Sequence, residues 1–338
     1  MRCQLWFKLL HKSTLNRAVG AIHGIMDVGQ PKMFSRITRR QLLMRAGATA
    51  AAVGATLALD SSFPCLAGPA STQSARRYKI AASDWMMVKR QKPGALPLAK
   101  ECGLDGVEVD MGPLGKRPDF ENNLRDEEFR RQYLASAREL GLEISSLAMS
   151  AFYGQPFADH PSAARFLSEW IELMPKLGTR VGFLPVITKG DLASDVEVRA
   201  RVVKCLKGAT PAAQKAGVVL GLNTQLTAEQ NIRLLDEIGS PSVRIAYNVG
   251  EAVDAQRDVY AEIRTLGPDR IAQIIPTLSD KKWLADDERI DVPRLKRLLD
   301  EMNWSGWLVL QRSRMAGKKP KENFSANANY LKSIFQAG

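Results

Sequence analysis

Seven positions concentrate the side chains that could do chemistry. Asn223, Asn248, Ile275 and Gln311 stand at the ends of four predicted strands. Glu108 lies near the end of another predicted strand, Glu229 lies six residues beyond Asn223, and Glu251 three beyond Asn248. An amide carries both a donor and an acceptor, so Asn223, Asn248 and Gln311 suit a hydroxyl-rich ligand. Acid–base work needs a group that exchanges a proton near neutral pH, which leaves the three carboxylates as catalytic candidates. Each carboxylate has a plainer reading too, as a solvated loop or helix-cap residue. Positive charge near the same loops comes from Lys189, Lys281, Lys282, Arg312 and Arg314. Such a rim would attract a phosphorylated or acidic sugar, since a guanidinium holds an oxyanion through two bonds. Trp85 or Trp283 offers a flat face to a ring, and Met86, Met87, Met149 and Phe152 either line the same pocket or pack beneath it.

Eight short β-branched or apolar runs must position these groups: Tyr78–Ala82, Gly106–Asp110, Glu143–Leu147, Val181–Val186, Val218–Leu222, Val243–Tyr247, Ile271–Ile275 and Trp307–Leu310. Between them lie stretches with 3.6-residue apolar spacing, around Leu96–Lys100, then Phe129–Leu140, Ala163–Leu177, Val196–Ala216, Ala228–Ile238, Val259–Leu266 and Val292–Met302. A last helix is expected over Asn327–Phe335. Eight β-α units without hairpin signals predict a single-domain α/β fold, the (β/α)8 TIM barrel, in which chemistry gathers where strands end. A doubly wound sheet is the rival. It calls for a glycine-rich turn after the first strand, where Ser83-Asp84-Trp85-Met86-Met87 stands instead.

The chain of 338 residues carries a formal charge of +12, which raises the question of a polyanion. Nine Lys/Arg against two Asp/Glu within residues 1–73 account for +7 of it, leaving only +5 elsewhere. No nucleic-acid partner is expected. The basic segment has another explanation: Arg39-Arg40, then Leu42-Leu43, the uncharged stretch Ala46–Leu59, and the small residues Ala67-Gly68-Pro69-Ala70. This pattern resembles a twin-arginine export signal. Fourteen uncharged residues fall short of the ~20 that span a bilayer, so a cleaved signal over 33–70 is expected, with the mature protein in the periplasm. Residues 1–32 read as a gene-model extension or a long basic lead-in, with Met33 an alternative start, and residues 71–77 as a linker. Export machinery is then a partner. Cys102 and Cys205, on predicted helices beside different strands, read as free thiols.

The strand ends also carry a resemblance. Val218-Val219-Leu220-Gly221-Leu222-Asn223, Tyr247-Asn248-Val249-Gly250-Glu251 and Gly306-Trp307-Leu308-Val309-Leu310-Gln311, with Gly103-Leu104-Asp105-Gly106-Val107-Glu108-Val109 and Arg289-Ile290-Asp291, are similar to the xylose isomerase-like TIM barrels of the sugar phosphate isomerase/epimerase family. The resemblance spans about residues 78–336. It implies a divalent metal such as Mn, Mg, Co or Zn held by Glu, Asp, His and Glu at the ends of strands five to eight, the two glutamates also acting as acid and base. Here those positions hold Asn223, Asn248, Ile275 and Gln311, and the three histidines, His11, His23 and His160, all lie elsewhere. Neutral carbonyl oxygens and an aliphatic side chain replace three anionic ligands and an imidazole, so no cofactor is expected. In related ketose epimerases the position of Glu229 carries a substrate-contacting glutamate, and Arg314 follows the family pattern, which makes it the substrate-binding candidate among the basic residues.

Three readings follow. The chain is an exported barrel without the family's metal-dependent catalysis that binds a sugar or sugar acid. Alternatively it is an active isomerase, epimerase or other carbohydrate enzyme with a site rebuilt around Glu108, Glu229 and Glu251, or else a structural or interaction protein.

Overall fold

Every expected run forms a strand: β1 (Tyr78–Ser83), β2 (Gly106–Asp110), β3 (Glu143–Ala148), β4 (Val181–Pro185), β5 (Val219–Asn223), β6 (Val243–Asn248), β7 (Ile271–Ile275) and β8 (Gly306–Leu310). This computed structural model describes residues 77–337 apart from 187, 189, 313 and 314. The proposed signal and leader, Lys189 and Arg314 therefore lie outside the described residues. Pairing follows chain order, all of it parallel, and β8 returns to β1 with Tyr78 opposite Gly306 and Ala82 opposite Leu310. The sheet closes as a (β/α)8 TIM barrel.

The helices are α1 (Ala95–Glu101), α2 (Glu127–Glu139), α3 (Ala163–Lys176), α4 (Val196–Ala216), α5 (Ala228–Ile238), α6 (Val249–Asp254), α7 (Val259–Leu266), α8 (Val292–Glu301) and α9 (Pro320–Phe335). Their starts are written in the sequence: Asp195, Asp258 and Asp291 accept first-turn amides, and Thr227 with Gln230 forms a reciprocal capping box on α5. Gly217 and Gly239 end α4 and α5 at φ 64° and 69°, a left-handed conformation that a side chain would strain. Two elements differ from expectation. The last helix begins at Pro320 rather than Asn327, because a proline at the first position loses no intrahelical bond. The short α6, directly after β6, was not foreseen.

The main apolar cluster lies between sheet and helices. Trp170 of α3 is fully buried there, donating to the Leu147 carbonyl at 2.8 Å against the bare backbone of Gly182. A second, small cluster joins Ala148, Phe183, Ala246 and Ile275, with Trp85 packed on it. Strand registers set what reaches the interior. A bulge after Val107 and Ile144 brings Glu108 opposite Ser146, and one after Ile245 and Ile271 brings Ala246 opposite Gln273. Cys102 and Cys205 are free thiols, the first buried and the second half-buried. Among the described residues no helix is long and apolar enough to cross a membrane.

Candidate functional site

Glu108 is completely buried. Its Oε2 accepts from Ser146 Oγ of β3 at 2.8 Å and from Gln273 Nε2 of β7 at 2.8 Å, while its Oε1 accepts from Gln311 Nε2 at 3.0 Å. Burial pushes its carboxyl up from 4.5 to about 7, and the nearby charge of Asp110 adds to the rise, although the three donors oppose it. Glu108 is therefore poised to hold or release a proton near neutrality. Gln273 is also fully buried, and its Oε1 meets no donor. That leaves a spare acceptor beside the carboxylate, which a ligand hydroxyl or a water would satisfy.

From Glu108 a chain of hydrogen bonds crosses the barrel mouth. Gln311 Oε1 lies 3.1 Å from the Tyr153 hydroxyl, which lies 3.1 Å from Asn223 Oδ1, and Asn223 Nδ2 donates to Glu251 Oε2 at 2.9 Å. Burial also raises the Glu251 carboxyl, offset by the Asn223 bond and by Arg312 and Arg257. Tyr153 is raised well above its ordinary value by burial of its hydroxyl, then by the charges of Glu251 and Glu108. The residue as a whole is 39% exposed while its hydroxyl meets Asn223 and Gln311, so the tyrosine sits at the mouth with its polar end turned inward.

Local structure explains the placement. Tyr153 ends a 3-10 turn, Ser150–Tyr153, directly after β3. That turn is fastened by Asp110 at the end of β2, whose Oδ2 accepts from the Ser150 amide at 2.9 Å and whose Oδ1 sits 3.2 Å from Arg90 Nε. Asp84, buried beside it, binds the Gln91 amide at 2.8 Å and is raised by burial and by Asp110. Glu251 rides on α6, which Asn248 caps by accepting the Glu251 amide at 3.3 Å. Gly250 lets α6 approach the loop after β7, for a β-carbon there would stand 2.8 Å from the Thr277 carbonyl oxygen and 3.0 Å from that of Leu278.

The sequence candidates thus separate. Asn223, Gln311, Glu108 and Glu251 come together in one chain. Asn248 sits at the same end of the barrel but serves as a helix cap, and Ile275 is fully buried in the small apolar cluster. Glu229 does not join them: it is exposed in the first turn of α5, where its own backbone amide and the Thr227 hydroxyl, 3.0 Å away, hold its carboxyl low. Its position four residues before Arg233 and two after the capping Thr227 is that of a helix-start acid, which favours the plainer reading. Arg312 gives its charge to Asp254 at 2.8 Å, while Lys281 and Lys282 are exposed. Met87, Met149 and Phe152 are fully buried under the rim rather than lining it. Trp283 donates to Asn323 of α9 at 3.2 Å. Tyr153, Ser146 and Gln273 are the residues that sequence reasoning missed. Among the described residues no three His, Cys, Asp or Glu side chains are grouped to hold a metal ion.

The profile of a family described as Xylose isomerase-like TIM barrel matches residues 96–334. The chain is 31% identical over 193 residues to an Escherichia coli K12 protein named for L-ribulose-5-phosphate 3-epimerase activity, covering 54% of this chain and 66% of that protein. It is 23% identical over 168 residues to a 2-epi-5-epi-valiolone 7-phosphate 2-epimerase of an Actinoplanes species, covering 49% and 60%. The match thus spans somewhat less than two thirds of either relative. A sugar phosphate isomerase/epimerase structure from Parabacteroides distasonis superposes with a TM-score of 0.61 at 16% identity, covering 78% of this chain and 96% of that one. A D-psicose 3-epimerase with D-tagatose from Clostridium cellulolyticum H10 does so with a TM-score of 0.62 at 13% identity, covering 76% and 99%. At such identities the superpositions speak for the fold alone.

Proposed function

Since the chain belongs to the xylose isomerase-like TIM barrels of the sugar phosphate isomerase/epimerase family, we propose that it is an exported carbohydrate-binding member whose barrel mouth works without the family's divalent metal. One observation carries this reading. Of the four positions where the family resemblance implies ligands, Asn223 and Gln311 are tied into the chain between Glu108 and Glu251, Asn248 caps a helix, and Ile275 is buried among apolar side chains. Amide oxygens carry no charge to offset a divalent cation, and Ile275 carries no donor at all, so this donor set does not fit the metal. It does fit hydroxyl groups, each of which donates one hydrogen bond and can accept two. The sugar-epimerase names of the two curated relatives support a carbohydrate ligand, a sugar or a sugar acid.

A thermal-shift and calorimetric screen of neutral sugars and sugar acids, with metal chelated, tests the proposal. Saturable binding of at least one is expected, weakened at least tenfold in Asn223→Ala. Absence of binding across both classes would favour an interaction protein instead.

A second reading, proton transfer to and from a sugar without metal, is favoured by Glu108. A buried carboxyl at about 7 is what such chemistry requires, and Glu251 supplies a second titratable group at the far side of the mouth.

A further inference from the structure

The two amides between Glu108 and Glu251 leave a mismatch in hydrogen count. With both carboxylates ionised, Gln311 and Asn223 each turn their NH2 group to a carboxylate, and both carbonyl oxygens then face the Tyr153 hydroxyl at 3.1 Å. That hydroxyl has one hydrogen. One of the two oxygen–oxygen contacts is left without a proton, in a place where an unmade bond is costly.

A single added proton removes the mismatch. Put it on Glu108 Oε1 and rotate the Gln311 amide by half a turn: Glu108 O–H donates to Gln311 Oε1, Gln311 Nε2–H to the Tyr153 oxygen, Tyr153 O–H to Asn223 Oδ1, and Asn223 Nδ2–H to ionised Glu251. Four donors meet four acceptors, while Glu108 Oε2 keeps its bonds from Ser146 and Gln273. Protonating Glu251 instead and turning Asn223 gives the mirror arrangement. A second proton breaks the match again, because both amides then donate to the Tyr153 oxygen and neither oxygen remains to receive its hydrogen.

We propose that the chain Glu108–Gln311–Tyr153–Asn223–Glu251 holds one shared proton, so that the barrel mouth carries a carboxylic acid at one end, a carboxylate at the other, and the Tyr153 hydroxyl between them. This deepens the proton-transfer reading above and rests on it for its use, but not for its detection. A sugar hydroxyl taking the place of the tyrosine hydroxyl would lie between an acid and a base, with the two amides orienting it. The proton comes from solvent, and no other reactant is needed.

The surrounding charges bias the proton toward Glu108, since Asp110 raises its carboxyl whereas Arg312 and Arg257 lower that of Glu251 against a smaller opposing effect of Asp254. Near Glu108 the other titratable group is Asp110 on the same strand, itself beside Arg90; the groups facing it from β3, β7 and β8 are neutral. Around Glu251, Arg312 is paired with Asp254 at 2.8 Å and Arg257 with Glu262 at 3.2 Å. Neither arginine bonds the Glu251 carboxylate.

The test is a titration of carboxyl protonation by infrared difference spectroscopy and by NMR of glutamate-labelled protein, without any sugar, so that failure of ligand binding and failure of this proposal are separable. Glu108→Gln and Glu251→Gln assign the signals. The wild type is expected to show one neutral glutamate carboxyl at pH 6 and two glutamate steps separated by more than about one pH unit. Tyr153→Phe keeps the half-exposed ring but removes the bridge, so the two steps should converge; circular dichroism confirms that the variant is folded. Glu108 and Glu251 both ionised at pH 6 in the wild type, or a separation unchanged in Tyr153→Phe, would overturn the proposal.

Discussion

Replacing Glu108 by Gln reverses the usual consequence of removing a buried hydrogen-bonded acid. The carboxyl has an ordinary value of 4.5 and lies at about 7 in the fold, so between these values the folded state binds more protons than the unfolded state. Stability must then fall as pH rises through that window, because unfolding is favoured wherever the unfolded chain binds fewer protons. A difference of two to three pH units at 1.36 kcal/mol each gives about 3 kcal/mol, absent below pH 4.5 and fully developed above pH 7. Glutamine is nearly isosteric, still accepts from Ser146 and Gln273, and brings an NH2 group where the protonated acid brings its O–H. Urea unfolding of wild type and Glu108→Gln from pH 4.5 to 8 isolates the effect, since titrations common to both proteins cancel in the difference. The stability of the variant relative to wild type should climb by about 3 kcal/mol across the range, or roughly 6–12 °C in melting temperature. A difference that stays flat with pH would refute the assignment of Glu108 as a group titrating near neutrality.

Gly250→Ala puts a methyl group 2.8 Å from the Thr277 carbonyl oxygen and should cost about 1–3 kcal/mol of stability while displacing Glu251, read by denaturation and by loss of sugar affinity. Arg90→Ala leaves the fully buried Asp110 without its cation and loosens the turn that carries Tyr153; a loss of about 3 kcal/mol is expected at pH 8, shrinking in acid as Asp110 takes up a proton. Replacing Arg39 and Arg40 together by Lys should hold the full chain in the cytoplasm, measured by fractionation of cells expressing both forms; equal periplasmic recovery would contradict twin-arginine export.

Much of the barrel was legible because parallel strands buried on both faces read as short apolar runs, and the intervening helices carry aspartate or threonine caps and terminal glycines. Asn223 and Gln311 were legible as strand-end positions because a barrel of this kind concentrates chemistry there, with Glu108 two residues inside the end of β2 and Glu251 three beyond β6. Tyr153 was not. It reaches Asn223 and Gln311 across 70 and 158 residues of chain, and nothing local to Ser150–Tyr153 announces that reach. Gln273 and Ser146 depend on bulges that shift the registers of β6–β7 and β2–β3, and a single sequence carries no mark of such shifts. The α6 helix did have a signal, Asn248-Val-Gly-Glu251, a helix-start pattern obscured by its six-residue length. Glu229 was drawn toward the site by resemblance, whereas its neighbour Thr227 already marked it as part of a helix start.

The proposed function has the strand-end site work through hydroxyl recognition and carboxyl protonation rather than through a divalent cation. Elemental analysis of protein purified with Mn²⁺ and Zn²⁺ in the growth medium, followed by calorimetric titration of each ion into the chelated protein, tests it most directly. Far less than one equivalent of metal is expected after purification, with no saturable site that Asn223→Ala or Gln311→Ala abolishes. One equivalent of tightly bound metal, lost in those two variants, would contradict it.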